Sequence, residues 1–95
     1  MRNAVTSRKR LKPVAFELQT APASTVFVAG SFNDWSASTD QLRFVEEEGL
    51  HRATLMLPRG RHEYKFVVDG EWRNDPSAAV QVQNDLGSTN SVLKV

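Results

Sequence analysis

Residues 61–73 read RHEYKFVVDGEWR and carry most of the fold information in this 95-residue chain. Large apolar side chains occupy every second position before the turn: Tyr64, Phe66 and Val68. Such side chains share one face of an extended strand. Asp69-Gly70 follows, and this pair suits a two-residue hairpin turn because both of its residues must adopt positive φ. The stretch therefore predicts a strand over 61–68, a tight turn and a return strand over 71–73.

The rest of the chain repeats short apolar or alternating runs separated by turn residues. These runs are residues 14–18, 25–30, 42–46, 50–57 and 91–95. About seven strands, with turn signals roughly every ten residues and no amphipathic helix, predict an all-β, immunoglobulin-like antiparallel β-sandwich. Ser77–Asn84 remains ambiguous, because Val80 and Val82 alternate without a clear strand propensity. We expect the last strand to pair inside a sheet, since an exposed one would invite aggregation.

Composition and charge divide the chain into a tail and one domain. Residues 1–12 hold five of the 12 basic residues and no acid, which leaves seven basic against 11 acidic residues in 13–95. We expect a disordered, solubilising basic tail over 1–12 and a single sandwich over 13–95. The chain has no cysteine, so it forms no disulfide and no thiolate metal site. The sequence has no apolar run of membrane-spanning length, and its N-terminus lacks the apolar stretch typical of a signal peptide, so we expect a cytoplasmic location.

The hairpin register predicts which way Trp72 faces. A two-residue turn sets Trp72 opposite Val67, on the face that does not carry the aromatic core residues, and diagonal to Lys65. The same register points Arg73 toward the core, so we expect the ladder to end or bulge there. An indole on an outer face is either a lid over a sheet edge or a ligand platform.

A second indole favours the platform. Trp35 lies in the polar loop 30–39, where no periodic pattern requires a large apolar ring. Two such indoles beside a lysine and amides suit a sugar, whose C–H face stacks on an indole and whose hydroxyls take hydrogen bonds.

Five separate motifs then resemble one known family. They are VFVAGSFNDW at 26–35, LPRG at 57–60, YKFVVDGEW at 64–72, NDP at 74–76 and NDLGSTN at 84–90. In this order and spacing they resemble carbohydrate-binding module family forty-eight, and especially the glycogen-binding domain of the AMP-activated protein kinase β subunit. The resemblance runs from about Pro13 to Val95 and implies an immunoglobulin-like sandwich that binds α-1,4-linked glucans.

The resemblance also implies roles for individual residues. It places the two stacking tryptophans at Trp35 and Trp72, and a lysine that hydrogen-bonds sugar hydroxyls at Lys65. The late loop of the family implies that Leu86 touches the apolar face of a sugar ring. It implies hydroxyl contacts for two more residues of this loop: Ser88 and Asn90.

Other chemistries are less well supported. Asp69, Glu71 and Asp75 are close in sequence, but we predict a turn, a strand start and a pre-proline position for them instead of a hydrolytic pair. His51 and His62 fall on separate predicted strands without metal-ligand spacing, so we expect no metal and no other cofactor.

Three functions stay open. The first is non-catalytic glucan binding that localises or regulates glucan metabolism, with a glucan-metabolising enzyme or a kinase as a partner in trans. The second is a regulatory or scaffold module whose protein contacts matter more than its sugar site. The third is a nucleic-acid accessory that uses the basic tail. We expect the first, no enzymatic activity, no membrane partner and no nucleic-acid partner.

Overall fold

A computed structural model describes residues 10–95 and contains eight β-strands and no helix in that part of the chain. The strands are β1 (Leu11–Leu18), β2 (Val26–Gly30), β3 (Asp40–Val45), β4 (Leu50–Pro58), β5 (Arg61–Val68), β6 (Glu71–Arg73), β7 (Val80–Gln83) and β8 (Thr89–Lys94). Every pairing is antiparallel. The eighth strand is β7, which forms in the segment that the sequence left ambiguous. Within residues 10–95, no helix has the length and apolar character needed to cross a membrane.

The predicted basic tail lies mostly outside the described residues, which begin at position 10. Its last two positions belong to β1, where Leu11 pairs with Pro58 and Lys12 with Leu57. Strand β1 therefore begins two residues before the predicted boundary, because it pairs with β4 as far as Pro58.

The strands form one curled sheet in the order β1-β4-β3-β2-β5-β8-β7, with β6 added on β5. The curl arises at β3, which changes partners along its length. Asp40–Leu42 pair with β2, whereas Arg43–Val45 pair with β4. The β1-β4 end thus folds over the β2-β5 part, which confirms the predicted all-β, sandwich-like fold.

The core fills the space between these two parts. Phe16 of β1 contacts Tyr64 of β5 with ring centroids 5.1 Å apart, and Tyr64 contacts Phe66 at 5.8 Å, both edge to face. Phe32, from the loop after β2, lies 5.5 Å from Phe16. Edge-to-face pairs of this kind add to the stabilisation from burial alone. The remaining buried members of the cluster are Leu18, Val26, Val28, Leu42, Leu57 and Val68.

The β5-β6 hairpin has the predicted register and turn. Asp69 and Gly70 have φ of 50° and 85°, and Val67 lies opposite Trp72. The strand ends at Arg73, whose exposed guanidinium contacts Glu71 at 3.3 Å instead of entering the core. β8 pairs with both β5 and β7, so the last strand lies inside the sheet as expected.

Candidate binding groove

An open groove with a volume of about 530 Å³ lies on the outer face of β5, β6 and the loop before β8. All six residues singled out from the sequence line it: Trp35, Lys65, Trp72, Leu86, Ser88 and Asn90. Asn84 and Asp85 complete its lining and were not predicted. Residues from three distant parts of the chain, the Trp35 loop, the β5-β6 hairpin and the segment 84–90, therefore meet on one surface.

The loop that carries Trp35 is organised by Asn33. The Asn33 amide oxygen accepts hydrogen bonds from the backbone N–H groups of Gly30 (3.0 Å) and Ser36 (3.2 Å). Its amide nitrogen donates to the Val28 carbonyl (3.0 Å) and to an Asp40 carboxylate oxygen (2.8 Å). All four hydrogen-bonding positions of the side chain are used, so Asn33 joins the end of β2 to the start of β3.

This loop also adopts an unusual backbone conformation. Asp34 and Trp35 have φ of 56° and 58°, in the left-handed region that side chains other than glycine seldom enter. The Trp35 N–H donates to the Gly30 carbonyl at 2.9 Å, which closes the turn. The surrounding hydrogen bonds thus hold the half-buried indole at the groove in a conformation that the isolated segment would disfavour.

Trp72 lies on the outer face of the hairpin, as its register predicted. The indole is 47% exposed, whereas Phe66, on the neighbouring strand but facing inward, is fully buried. Val67, directly opposite Trp72, is only 4% exposed although it belongs to the outer face. The central strand β5 leaves it flanked by Phe27 on one side and Trp72 on the other.

Two hydrogen bonds fix the position of the Lys65 ammonium. Its ammonium donates to the Ser88 hydroxyl at 3.1 Å and to the Thr89 carbonyl at 2.7 Å. An ammonium has three N–H groups, so one remains for a ligand. Lys65 therefore tethers β5 to the loop before β8 while it lines the groove.

The loop between β7 and β8 is organised by Asn84. The Asn84 amide oxygen accepts from the backbone N–H groups of Leu86 (2.9 Å) and Ser88 (3.1 Å). The turn presents Leu86 to solvent with 91% of its surface exposed. A leucine this exposed on a hydrogen-bonded loop leaves an apolar surface open beside the groove.

Asn90 is the most buried of the predicted site residues. It is 6% exposed, its amide donates to the Glu63 carboxylate at 3.0 Å, and its oxygen accepts from Asn84 at 3.0 Å. The hydrogen bond from Asn90, aided by Arg61, lowers the pKa of Glu63. The Glu63 carboxylate can only accept, so the Asn90 NH2 group must face it. The Asn84 oxygen is already used by two backbone N–H groups, so Asn84 can only donate, and the Asn90 oxygen must face it. Both neighbours therefore require the same orientation of the Asn90 amide. One N–H and one lone pair of Asn90 remain for a ligand.

Glu63 connects both loops of the groove. Its backbone carbonyl accepts from the Ser31 N–H at 2.9 Å, next to the Trp35 loop. Its carboxylate holds Asn90 and, through Asn90, the Asn84 loop. Sequence analysis missed Glu63, Asn33 and Asn84. The sequence held one signal for the two asparagines, because an asparagine in a turn commonly bonds nearby backbone groups. It held no such signal for Glu63.

The carboxylates considered for hydrolysis have other surroundings. Asp69 accepts from the Thr25 N–H at 2.9 Å, and hydrogen bonds from Thr25 and Ser24 lower its pKa. Asp75 is buried, and its carboxylate accepts from the Tyr64 hydroxyl at 2.5 Å. Glu71 lies beside Arg73 on the exposed hairpin. The histidines are separate as well: His51 lies 3.0 Å from the Ala21 carbonyl and His62 lies 2.8 Å from that of Pro58.

An antiparallel sandwich with an aromatic groove and convergent polar groups on its outer face defines a ligand-binding module. The chain belongs to the family described as the glycogen recognition site of AMP-activated protein kinase, whose model matches residues 12–95. This membership confirms the resemblance inferred from the motifs.

Individual relatives are β subunits of that kinase. The chain is 39% identical over 84 residues to the β-1 subunit of Sus scrofa, covering 88% of this chain and 64% of that sequence. It is 40% identical to the β-1 subunit of Bos taurus over 84 residues, 88% of this chain and 29% of that sequence. It is 43% identical over 70 residues to the β-2 subunit of Mus musculus, covering 74% of this chain and 24% of that one. The chain spans less than two thirds of the length of each.

Proposed function

We propose that this chain binds α-1,4-linked glucans such as glycogen, starch and maltooligosaccharides, without acting on them, by stacking sugar rings on Trp35 and Trp72. The observation that carries the proposal is the convergence of Trp35, Lys65, Trp72 and the exposed Leu86 in one open groove. The family description, which names glycogen recognition, supports the same ligand class.

The lining suits the two kinds of surface that a glucan chain offers. The indoles and Leu86 provide apolar contacts for the C–H faces of successive glucose rings. Lys65, Ser88 and Asn90 retain hydrogen-bonding capacity for hydroxyls, as does the one unused side-chain N–H of Asn84. A curved α-1,4 chain can rest on one indole from a loop and one from a strand, Trp35 and Trp72, whereas a flat β-1,4 chain is matched by a flat platform.

The expected affinity for one site is modest. If each ring loses about half of its ~200 Å² to the ligand, the pair contributes roughly 5 kcal/mol at ~25 cal/mol/Å². Polar contacts add to this, while association costs at least ~4 kcal/mol. The balance gives micromolar to millimolar affinity, and firm attachment to a polymer then requires several modules on one particle.

Gel retardation tests the ligand class. The protein is run through native gels that contain glycogen, amylose, cellulose or no sugar, with an unrelated β-sandwich of similar charge as the mobility control. We expect retardation by glycogen and amylose, and binding to β-cyclodextrin in calorimetry. Equal retardation by cellulose, or none by either α-glucan, would contradict the proposal.

A regulatory role in a kinase complex is a second candidate. It is favoured by the relatives, which are β subunits of AMP-activated protein kinase. In that case the module brings a kinase or a glucan-metabolising enzyme to the polymer. Co-sedimentation of such an enzyme with glycogen, with and without the module, distinguishes delivery from glucan binding alone.

A further inference from the structure

We infer that Asp85 makes the groove selective for uncharged glucans over phosphorylated ones, by cancelling the charge of Lys65. This inference rests on the proposed function and concerns which glucans the same groove accepts. The ligand class that Asp85 disfavours is an α-glucan carrying phosphate monoesters.

The groove lining carries two opposite charges. Among the described residues that line it, one is cationic, Lys65, and one is anionic, Asp85; the other six are uncharged. The lining is therefore neutral as a whole. Removing the aspartate charge would leave a net charge of +1 at the place where the sugar rings are expected to lie.

The charge of Lys65 is held in a fixed position, whereas that of Asp85 has no partner in the described part of the chain. Lys65 is fixed in the groove by its bonds to Ser88 and Thr89, so its charge cannot swing away from a ligand. Within residues 10–95, the exposed Asp85 side chain takes part in none of the ion pairs and side-chain hydrogen bonds, whereas Glu63 and Glu71 are paired with Arg61 and Arg73. Glu63, which is bonded to Asn90, and Glu71, which precedes Trp72, are thus each paired with an arginine, whereas Asp85 has no such partner among the described residues.

Asp85 opposes the attraction between Lys65 and a phosphorylated ligand. A phosphate monoester carries about −1.5 to −2 at neutral pH. Lys65 attracts it and Asp85 repels it, so the neutral lining gives phosphate no advantage. Without Asp85 the attraction of Lys65 is unopposed. For charges about one sugar ring apart in water, the change corresponds to roughly a two- to fivefold gain in affinity at low salt.

The experiment compares one polymer in two states. A phosphorylated amylopectin and the same polymer after phosphatase treatment are used in gel retardation with the wild type, Asp85→Asn and the control Glu71→Gln. The control removes the same charge from the exposed hairpin next to Trp72, but from a residue that does not line the groove. Asn is isosteric with Asp and replaces an exposed side chain, so folding should be unaffected.

We expect the wild type to bind the phosphorylated polymer no more tightly than the dephosphorylated one. Asp85→Asn should shift the affinity ratio toward the phosphorylated polymer by about two- to fivefold, and the shift should shrink when salt is raised to about 1 M. Glu71→Gln leaves Arg73 unpaired, but outside the groove lining, so it should shift the ratio clearly less than Asp85→Asn does.

An unchanged ratio in Asp85→Asn, an equal shift in Glu71→Gln or a shift that salt does not reduce would each overturn the inference. If the wild type binds the dephosphorylated polymer in these cases, the proposed function stands. If the wild type binds neither polymer, the proposed function itself fails and the inference fails with it.

Discussion

Trp72 and Phe66 belong to neighbouring strands of one hairpin but to opposite faces of the sheet. Phe66 is fully buried in the core cluster, while Trp72 is 47% exposed and lines the groove. Single substitutions at these positions should therefore separate binding from folding.

We predict that Trp35→Ala and Trp72→Ala each weaken glucan binding by about 1.5–3 kcal/mol, because each removes a stacking surface. Lys65→Ala should cost less, about 1–2 kcal/mol, since water partly replaces a solvent-facing hydrogen bond.

Trp72→Ala should lower the free energy of unfolding by about 1 kcal/mol or less, whereas Phe66→Ala should lower it by about 3–5 kcal/mol. Calorimetric titration and thermal melts of the same variants measure both quantities. A Trp72→Ala protein that unfolds, yet binds glucan normally per folded molecule, would place the indole in the core.

Glu63 is a second residue whose substitution should change a measurable quantity, the pH dependence of the stability of the fold. Because its pKa is lowered in the folded state from the usual 4.5, it contributes stability above that value. The contribution is lost as the pH falls through the lower, folded-state pKa. Glu63→Gln keeps an acceptor for Asn90 but does not titrate. We predict that its melting temperature lies below that of the wild type at neutral pH and that the gap narrows below about pH 4.5. Glu71→Gln, on the exposed hairpin, is the matched control, and a Glu63→Gln gap that stays constant into acid would refute this role.

At the scale of elements, the end of β2 decides how the Trp35 loop leaves the sheet. A Cβ at Gly30 would lie 2.5 Å from Cε2 of Phe32 and 2.6 Å from the backbone carbonyl oxygen of Glu63. The second contact is with backbone of the neighbouring strand β5, which cannot move without breaking its pairing. Glycine is thus required here for close approach of two strands and not for its backbone angles.

We predict that Gly30→Ala lowers the free energy of unfolding by about 1–3 kcal/mol and weakens glucan binding, because the loop that carries Trp35 must shift. Gly49→Ala is the control. Gly49 has φ of 68° and nothing within 4 Å of its Cβ position, so alanine there costs about 1 kcal/mol of strain and leaves the groove alone. Denaturant unfolding and calorimetry provide the comparison. Normal glucan affinity in folded Gly30→Ala would show that the loop does not depend on this contact.

At the scale of the whole molecule, a polar network that includes three buried residues, Tyr64, Asp75 and Ser91, joins β5 and β8 to the segment around β7. The Tyr64 hydroxyl donates to Asp75 at 2.5 Å, and the Asp75 N–H donates to the Ser91 hydroxyl at 2.9 Å. Ser91 in turn donates to Gln81 at 3.1 Å. Burial, together with the bond to Asp75, raises the pKa of Tyr64 well above its usual 10.0.

The raised pKa predicts alkaline sensitivity of the fold. The stability that Tyr64 contributes is fully present below about pH 10 and is lost as the pH rises toward the folded-state pKa, because only the unfolded chain ionises readily. In that window one such group lowers the free energy of unfolding by about 1.4 kcal/mol per pH unit. Tyr64→Phe should start from lower stability, since Asp75 loses a donor, but should show a shallower alkaline decline.

Tyr64 is the only tyrosine, so the phenolate absorbance of the native protein reports this group alone. It should stay low until the protein unfolds. Phenolate absorbance that rises with an ordinary tyrosine pKa while the protein remains folded would contradict the prediction.

Much of this molecule follows from local pattern. The alternation of Tyr64, Phe66 and Val68 and the Asp69-Gly70 turn were sufficient to predict the hairpin, its register and the outward face of Trp72. These features depend on residues within a few positions of each other, where the period of a strand and the φ requirement of a turn act directly. Its place in a polar loop singled out Trp35, the family resemblance added the late loop, and the structure brings both to the same groove.

The remainder depended on contacts that no local pattern encodes. β3 divides its pairing between two strands, Glu63 and Asn90 are 27 positions apart, and Lys65 and Ser88 are 23 apart. Sequence analysis therefore identified residues that surround the groove but not the supports behind them or the Asp85 charge in its lining. Side-chain alternation and turn chemistry act within a strand or a turn and were determined by the sequence itself. Which polar groups bond or neutralise one another was decided only when the curled sheet brought distant strands together.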